Sequence, residues 1–420
     1  MIKRTDYLNE LNKWKDEQVI KVVTGIRRCG KSTLLEQFQT ELVSNGISRE
    51  QIIAVNFEAL EFEELLDYKK LYAYIVDRIV PGKKNYVFLD EIQMVNDYQK
   101  AVDSLFIRDN IDIYITGSNA YLLSGELATL LSGRYVEINM LPLSFAEYRS
   151  VKTDGSDDTI FAEYLRLGGL PYIVSIDDAN EKADAYLEGI YNTIIIKDIE
   201  ERQKRKDKGG KRNINDIALL KNIARFLASS VGNPVSIKSI ADYITSSGRK
   251  VSQNTVSEYV SALVEPYIFY PVERYDVEGK QLLKQNQKYY ISDLGLRRYM
   301  VTKKNYDLGF SLENVVYLEL KRRGYRINIG KVGSTEVDFV TEKNGNVTYV
   351  QVTASMTDEK TFEREIAPLK AIRDNHPKKI LTLDRFTAGN YEGITVENVI
   401  DWLLEGGGCG QKVGQKCDEK

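Results

Sequence analysis

Between Val19-Ile20-Lys21-Val22-Val23-Thr24 and Thr33-Leu34-Leu35-Glu36-Gln37-Phe38 the chain reads Gly25-Ile26-Arg27-Arg28-Cys29-Gly30-Lys31-Ser32. The first run is apolar and β-branched, as a buried strand requires; the second has helical apolar spacing. G-x-x-x-x-G-K-S between a strand and a helix start constrains the fold more than any other feature, because it demands an α/β layer structure. Gly25 and Gly30 permit turns that a side chain would block. Loop amides and the helix dipole then point at one spot, which suits a polyphosphate. Lys31 is expected to reach the terminal phosphates and Ser32 to hold Mg2+ through its hydroxyl. The binding set is Gly25, Ile26, Arg27, Arg28, Cys29, Gly30, Lys31, Ser32 and Thr33, with Arg27 and Arg28 either touching phosphate or solvated.

At 420 residues the chain is too long for one ordinary core and implies two or three domains. The net charge of −3 provides no overall basic field, so any nucleic-acid contact must come from a local patch. Three cysteines, Cys29, Cys409 and Cys417, offer no disulfide framework. The single histidine, His376, excludes a multi-histidine metal site. No run is apolar enough to span a bilayer and the amino terminus has no secretory pattern, so a cytoplasmic location is expected.

Further features are in register with the loop. Asn85-Tyr86-Val87-Phe88-Leu89-Asp90 reads as a strand ending in Asp90-Glu91. Asp90 is expected in the Mg2+ shell and Glu91 as the base that polarises an attacking water. Neighbours on a strand point to opposite faces, so both carboxylates can face one ligand only if the strand ends there. Ile111 to Ile115 forms another strand, alternating with Asp112 and Tyr114, and ends at Thr116-Gly117-Ser118-Asn119. Ser118 and Asn119 at that tip are either sensors of the terminal phosphate or a simple turn. Arg134, before the strand Tyr135 to Ile138, is either an arginine finger, in its own subunit or a neighbour's, or a surface ion pair. Trp14 can flank a base or pack.

Gly-Ile-Arg-Arg-Cys-Gly-Lys-Ser at Gly25, Phe-Leu-Asp-Glu-Ile-Gln at Phe88, Ile-Thr-Gly-Ser-Asn-Ala at Ile115 and Leu-Pro-Leu-Ser-Phe-Ala-Glu-Tyr at Leu141 together resemble the prokaryotic AAA-type P-loop ATPases that carry a nuclease-like C-terminal domain of unknown function. Gly168-Gly169-Leu170-Pro171, Lys197-Asp198-Ile199, Asp293-Leu294-Gly295 and Glu336-Val337-Asp338-Phe339 extend the resemblance over nearly the whole chain. It implies ATP as the nucleotide. The fold class expected is a P-loop parallel sheet with helices on both faces, then a helical lid, a winged helix and a restriction-endonuclease-like α/β domain.

The expected divisions are an ATPase domain over residues 1–145, a lid over 146–200, a basic linker over 201–215, a winged helix over 216–305, the nuclease-like domain over 306–405 and a disordered tail over 406–420. The linker carries Lys204, Arg205, Lys206, Lys208, Lys211 and Arg212, either solvated or neutralising nucleic-acid phosphates. Ile217 to Leu227, Val235 to Ile244 and Ser252 to Leu263 have helix-turn-helix rhythm, followed by two wing strands, Phe269 to Val272 and Lys288 to Ile291. Gln253, Asn254 and Thr255 start the third helix and can contact DNA, although Glu258 on it is unfavourable and winged helices also serve as protein-binding modules. The resemblance further implies a nuclease-type site at Glu313, Asp338 and Gln351. Gln351-Val352-Thr353 stands where such sites read Glu-x-Lys, so cleavage is not expected.

The reading is an ATPase that couples its nucleotide state to C-terminal modules binding protein or DNA, with oligomerisation an open expectation. The alternatives are a nucleotide-gated DNA-binding switch with little turnover and an ATP-dependent nuclease.

Overall fold

The computed structural model describes residues 2–118, 133–176, 179–194, 216–301 and 307–405. Asn119, the Lys197-Asp198-Ile199 motif, the basic run 201–215 and the tail 406–420 lie outside these residues.

The first unit alternates helix and strand. After α1 (Thr5–Lys13) come β1 (Ile20–Thr24), α2 (Lys31–Ser44), β2 (Ile52–Asn56), α3 (Tyr68–Asp77), β3 (Asn85–Asp90), α4 (Tyr98–Phe106), β4 (Ile111–Gly117) and β5 (Tyr135–Asn139). The strands form one sheet in the order β2-β3-β4-β1-β5, with every pairing parallel. Every residue of β1, β3 and β4 is buried, as expected for strands covered by helices on both faces. Asp112 and Tyr114, which alternate with the apolar residues of β4, are buried as well. Asp112 and Lys21 are both buried and ion-paired, and the Tyr114 hydroxyl donates to Asp112 at 2.8 Å. Charge neutralisation inside the layer lets two polar residues occupy core positions.

Five helices follow among the described residues. These are α5 (Phe145–Arg149), α6 (Asp157–Leu167), α7 (Pro171–Val174), α8 (Ala179–Asn192) and α9 (Ile217–Ser229). Ser144 caps α5 by accepting from the Glu147 amide at 3.0 Å. Between α6 and α7, Gly168 has φ +83°, and a Cβ there would lie 2.3 Å from Asp293 Oδ1. Only glycine permits both the turn and this approach.

Next come β6 (Pro234–Val235), α10 (Ile237–Ser246), α11 (Gln253–Val264), β7 (Phe269–Asp276), β8 (Gln281–Ile291), α12 (Leu294–Met300) and α13 (Leu308–Arg322). The chain continues with β9 (Arg326–Val332), β10 (Thr335–Lys343), β11 (Asn346–Thr353), α14 (Glu359–Ala371), β12 (Lys378–Thr382), β13 (Gly389–Tyr391), β14 (Ile394–Asn398) and α15 (Val399–Glu405). The expected wing strands fall in β7 and β8. They belong to a nine-stranded sheet ordered β13-β14-β12-β11-β10-β9-β7-β8-β6, with β7 parallel to β9 through Arg274–Ile329, Tyr275–Gly330 and Asp276–Lys331. The hairpin and the C-terminal α/β layer, expected as separate units, thus share one hydrogen-bonded sheet. Distant strands can pair this way whenever each has an unsatisfied edge, and local spacing carries no sign of it.

Candidate functional site

The loop at Gly25 emerges from the carboxyl end of β1, where ligands collect in a parallel sheet. Gly25 has φ +144°, and a Cβ on it would come within 2.1 Å of the Met140 carbonyl oxygen. Gly30 has φ +102° and caps α2. Arg28 also adopts a left-handed conformation, with φ 67°. Lys31 is buried, and its ammonium donates to the carbonyls of Gly25 at 3.1 Å and Ile26 at 3.3 Å. Its Nζ lies 3.9 Å from Glu91 Oε1. Cys29 is a buried free thiol whose pKa is pushed up by burial.

Asp90 closes β3 and is buried. Burial raises its pKa, opposed by hydrogen bonds from Ser32 and Thr116. Glu91 leaves the strand with φ 55°, which breaks the two-residue alternation and lets adjacent carboxylates face the same region. Thr116 joins them: its hydroxyl donates to Asp90 Oδ1 and accepts from the Glu91 amide at 2.9 Å. It can do so because β4 lies between β3 and β1 in the sheet. Ser118 Oγ donates to Glu91 Oε2 at 3.2 Å, and Gln93 also donates to that oxygen.

A cleft of about 1030 Å³ opens over the loop. One wall holds Arg27, Arg28, Lys31, Ser32, Thr33, Glu58 and Glu91, and the other includes Pro171, Tyr172, Tyr186 and Ile190 from α7 and α8. Arg27 pairs with Glu58 at 2.8 Å. Arg4 braces the loop: its guanidinium donates to the Cys29 carbonyl at 3.1 Å, to Leu141 O at 2.8 Å and to Glu147 at 2.8 Å. Burial pushes the Tyr186 phenol up to about 12, opposed by the nearby Arg28 charge. Arg4, Glu58, Thr116, Tyr172 and Tyr186 carry no local motif. Only the Ser/Thr chemistry at the tip of β4 hinted at one of them.

Arg134 is elsewhere. Its carbonyl accepts from the Ile20 amide at 2.8 Å, so it stands at the amino-terminal edge of β1, and it pairs with Asp103 at 2.5 Å. The five residues of β1, roughly 16 Å of strand, separate it from the loop. A finger role within its own subunit is therefore corrected to a surface ion pair. Trp14 bonds Glu10 at 2.9 Å and does not line the cleft.

In the C-terminal layer, Glu313 of α13 and Asp338 of β10 do meet, around a cation from a different strand. Lys288 Nζ of β8 lies 3.0 Å from Glu313 Oε1, 2.8 Å from Glu336 Oε1 and 3.7 Å from Asp338 Oδ1. Burial opposes the Lys288 charge, but the three carboxylates outweigh it and raise its pKa. Burial, and next to it the Glu313 charge, raise the pKa of Asp338. Gln351 accepts from the Asp338 amide at 3.2 Å and donates to Glu365 at 2.9 Å, so its side-chain oxygen is already engaged. Among the described residues no group of three or more His, Cys, Asp or Glu side chains is arranged to hold a metal ion.

At the start of α11, Gln253 and Asn254 are exposed, while Thr255 is bound into the Ser252 cap at 2.9 Å. Among the described residues no helix is long and apolar enough to cross a membrane.

Residues 17–149 match the family described as an AAA domain, and residues 158–307 match a domain of unknown function. An uncharacterized protein of Haemophilus influenzae is 40% identical over 96% of this chain and 99% of its own length. One from Methanocaldococcus jannaschii is 32% identical over 90% of this chain and 85% of its own length. Among solved structures, a Walker-type ATPase of Pyrococcus abyssi aligns with TM-score 0.49 and 18% identity over 71% of this chain and 96% of that one.

Proposed function

We propose, from the premise that this AAA-domain chain belongs to one family with those Haemophilus influenzae and Methanocaldococcus jannaschii proteins, that it is a Mg2+-dependent ATPase whose nucleotide state moves its C-terminal modules. The carrying observation is the convergence of Lys31, Ser32, Asp90 and Glu91 at the ends of β1 and β3, beneath a cleft large enough for a nucleotide.

In this reading the loop amides and Lys31 hold the triphosphate. The Ser32 hydroxyl and the Asp90 carboxylate, already hydrogen-bonded to each other, are hard oxygen donors that fit Mg2+. The ion, when bound, supplies charge neutralisation at the phosphates. Two protein oxygens suffice, because Mg2+ usually keeps waters and substrate phosphates as its other ligands. Glu91 orients and deprotonates the attacking water, held by Ser118 and Gln93. Asn119, next in chain after Ser118, is a candidate sensor.

Two junctions support the coupling. Glu137 Oε1 accepts from Thr24 Oγ1 of β1 at 2.7 Å and from the Tyr267 hydroxyl of the second unit at 3.0 Å. Asp293 accepts from the Gly169 amide at 2.7 Å, just before the helices that wall the cleft. A shift at the loop thus has direct mechanical contact with the second unit. The partner would bind through α10, α11 and the β7–β8 hairpin as a winged helix, with DNA favoured by the exposed Gln253 and Asn254 and protein as the other outcome. The C-terminal layer would be a nuclease-like fold without cleavage, since Lys288 pairs with both Glu313 and Asp338, the Tyr290 hydroxyl donates to Glu313 and the Val352 amide donates to Asp338.

The test is steady-state ATP hydrolysis with Mg2+, with and without duplex DNA, for wild type and Lys31→Ala. Turnover in wild type that Lys31→Ala abolishes supports the reading. ATP binding without turnover would favour a nucleotide-gated switch, and no ATP binding at all would overturn both.

A further inference from the structure

Arg4 lines the cleft but is only 3% exposed, and all three of its guanidinium nitrogens are engaged within the protein. Nε donates to Glu147 at 2.8 Å, Nη1 to the Cys29 carbonyl at 3.1 Å, and Nη2 to Leu141 O at 2.8 Å and Pro142 O at 3.5 Å. The guanidinium carbon also sits 4.9 Å from the centre of the Tyr7 ring, a cation–π distance. The backbone around Arg4 is fastened to α2, the helix that the loop begins. Gln37 of that helix accepts from the Arg4 amide at 3.3 Å and donates to the Ile2 carbonyl at 2.7 Å. Main chain and side chain are thus both fixed by the protein itself.

A cation so placed holds backbone. The Cys29–Gly30 peptide is planar and trans, so its carbonyl and its N–H point in opposite directions. With the Cys29 carbonyl held by Arg4, the Gly30 N–H is turned away from the guanidinium, at the amino end of α2. Gly30, with φ +102°, offers little resistance of its own to a flip of that peptide, because glycine tolerates either sign of φ. The restraint on the peptide therefore comes from outside the loop.

We propose that Arg4 is a positioning residue of the phosphate loop: by holding the Cys29 carbonyl it aims the Gly30 N–H at a bound triphosphate, and it does not touch the ligand itself. This rests on the phosphate-loop reading above. Lysine in its place keeps a charge beside Glu147 but lacks the planar fork that reaches Glu147, Cys29 and Leu141 together.

The experiment is equilibrium titration of inorganic tripolyphosphate, with Mg2+, against wild type, Arg4→Lys, Lys31→Ala and Lys288→Met, with melting temperatures measured alongside. Arg4→Lys is expected to bind about tenfold more weakly, the loss of one hydrogen bond to a charged ligand. Lys288→Met, destabilised from the distant C-terminal layer, should bind within about twofold of wild type. A second measurement reads the peptide directly in wild type. Cys29–Gly30 and Cys409–Gly410 are the two Cys–Gly peptides of the chain, so isotope labels on cysteine carbonyls and glycine nitrogens report these alone by NMR, and Cys409→Ser identifies which is which. Tripolyphosphate should move the Gly30 amide proton downfield in wild type, and less far in saturated Arg4→Lys. Arg4→Lys binding within about twofold of wild type overturns the proposal. So does a Gly30 resonance that stays in place when wild type binds. A loss in Lys288→Met equal to that in Arg4→Lys shows that affinity follows stability alone, and overturns it too. If wild type binds no tripolyphosphate, or Lys31→Ala binds it as well as wild type, the phosphate-loop reading has failed and the role of Arg4 falls with it.

Discussion

Lys288 of β8 and Glu313 of α13 form an ion pair of 3.0 Å with side chains 3% and 7% exposed, and the same ammonium serves Glu336 and Asp338. One buried cation thus balances a cluster of carboxylates drawn from a helix and from β10, three places away from β8 in the same sheet. Removing it leaves charges buried without a partner, which costs far more than the net worth of the pair. Lys288→Met is expected to lose about 3–5 kcal/mol. The loss should be smaller when Lys288→Met is combined with Glu313→Gln. Urea denaturation of the two variants measures this, and a midpoint for Lys288→Met equal to wild type would refute the assignment.

Glu91→Gln is expected to keep ATP affinity and to lower turnover about a hundredfold or more, as removal of a general base does. The substitution is nearly isosteric and the left-handed backbone at residue 91 is kept. Single-turnover hydrolysis beside a binding titration separates the two effects. Wild-type turnover in this variant would remove Glu91 from the mechanism.

Thr116→Val preserves shape but deletes the hydroxyl that serves both Asp90 and the Glu91 amide. The amide is left without its acceptor at a cost of about 1–3 kcal/mol. Turnover should fall along with the thermal midpoint, because both carboxylates lose a common anchor. Unchanged turnover would mean that this bridge does not position them.

Asp293 gives the pH dependence a definite sign. Burial lifts its carboxyl to about 6, against the pull of the backbone amides of Gly169, Leu296, Gly295 and Leu170. The folded chain therefore holds this proton more tightly than the unfolded chain, whose value is about 3.9. The linked stabilisation is present below about pH 4 and is lost as pH rises through about 6, a change of about 2–3 kcal/mol. Asp293→Asn should flatten that slope. Denaturation midpoints of both proteins at pH 4.5 and pH 7 test it, and equal slopes would contradict the shift.

Gly168→Ala forces a side chain into a φ of +83° and to 2.3 Å from Asp293 Oδ1. Strain and collision together should cost at least about 2 kcal/mol, seen as a lower melting temperature. An unaltered melting temperature would show that the α6–α7 turn yields freely.

Much of the first unit was legible residue by residue. The strand–loop–helix around Gly25 and the tip at Asp90-Glu91 are local patterns, and apolar runs of strand length fall on β1, β2, β3 and β4. Arg134 shows the limit of such reading. Its neighbours in sequence suggested a phosphate contact, yet β5 runs parallel to β1, which sends its first residue to the far edge of the sheet. Asp112 on β4 shows another limit, since its buried partner is Lys21, on another strand, and no local pattern announces that pairing.

Sequence alone determined the strands β1 to β4, the helix after the loop, and that this loop presents amides, an ammonium and a hydroxyl together, because backbone sterics and side-chain periodicity act within a few residues. Tertiary structure alone decided that Thr116 joins two carboxylates, that Tyr172 lines the cleft over the loop, that Lys288 neutralises a cluster built on other elements, and that the β7–β8 hairpin extends the C-terminal sheet. Each of those depends on which strand edges and helix faces meet across long stretches of chain. Burial and charge balance select that arrangement only once the whole chain has collapsed.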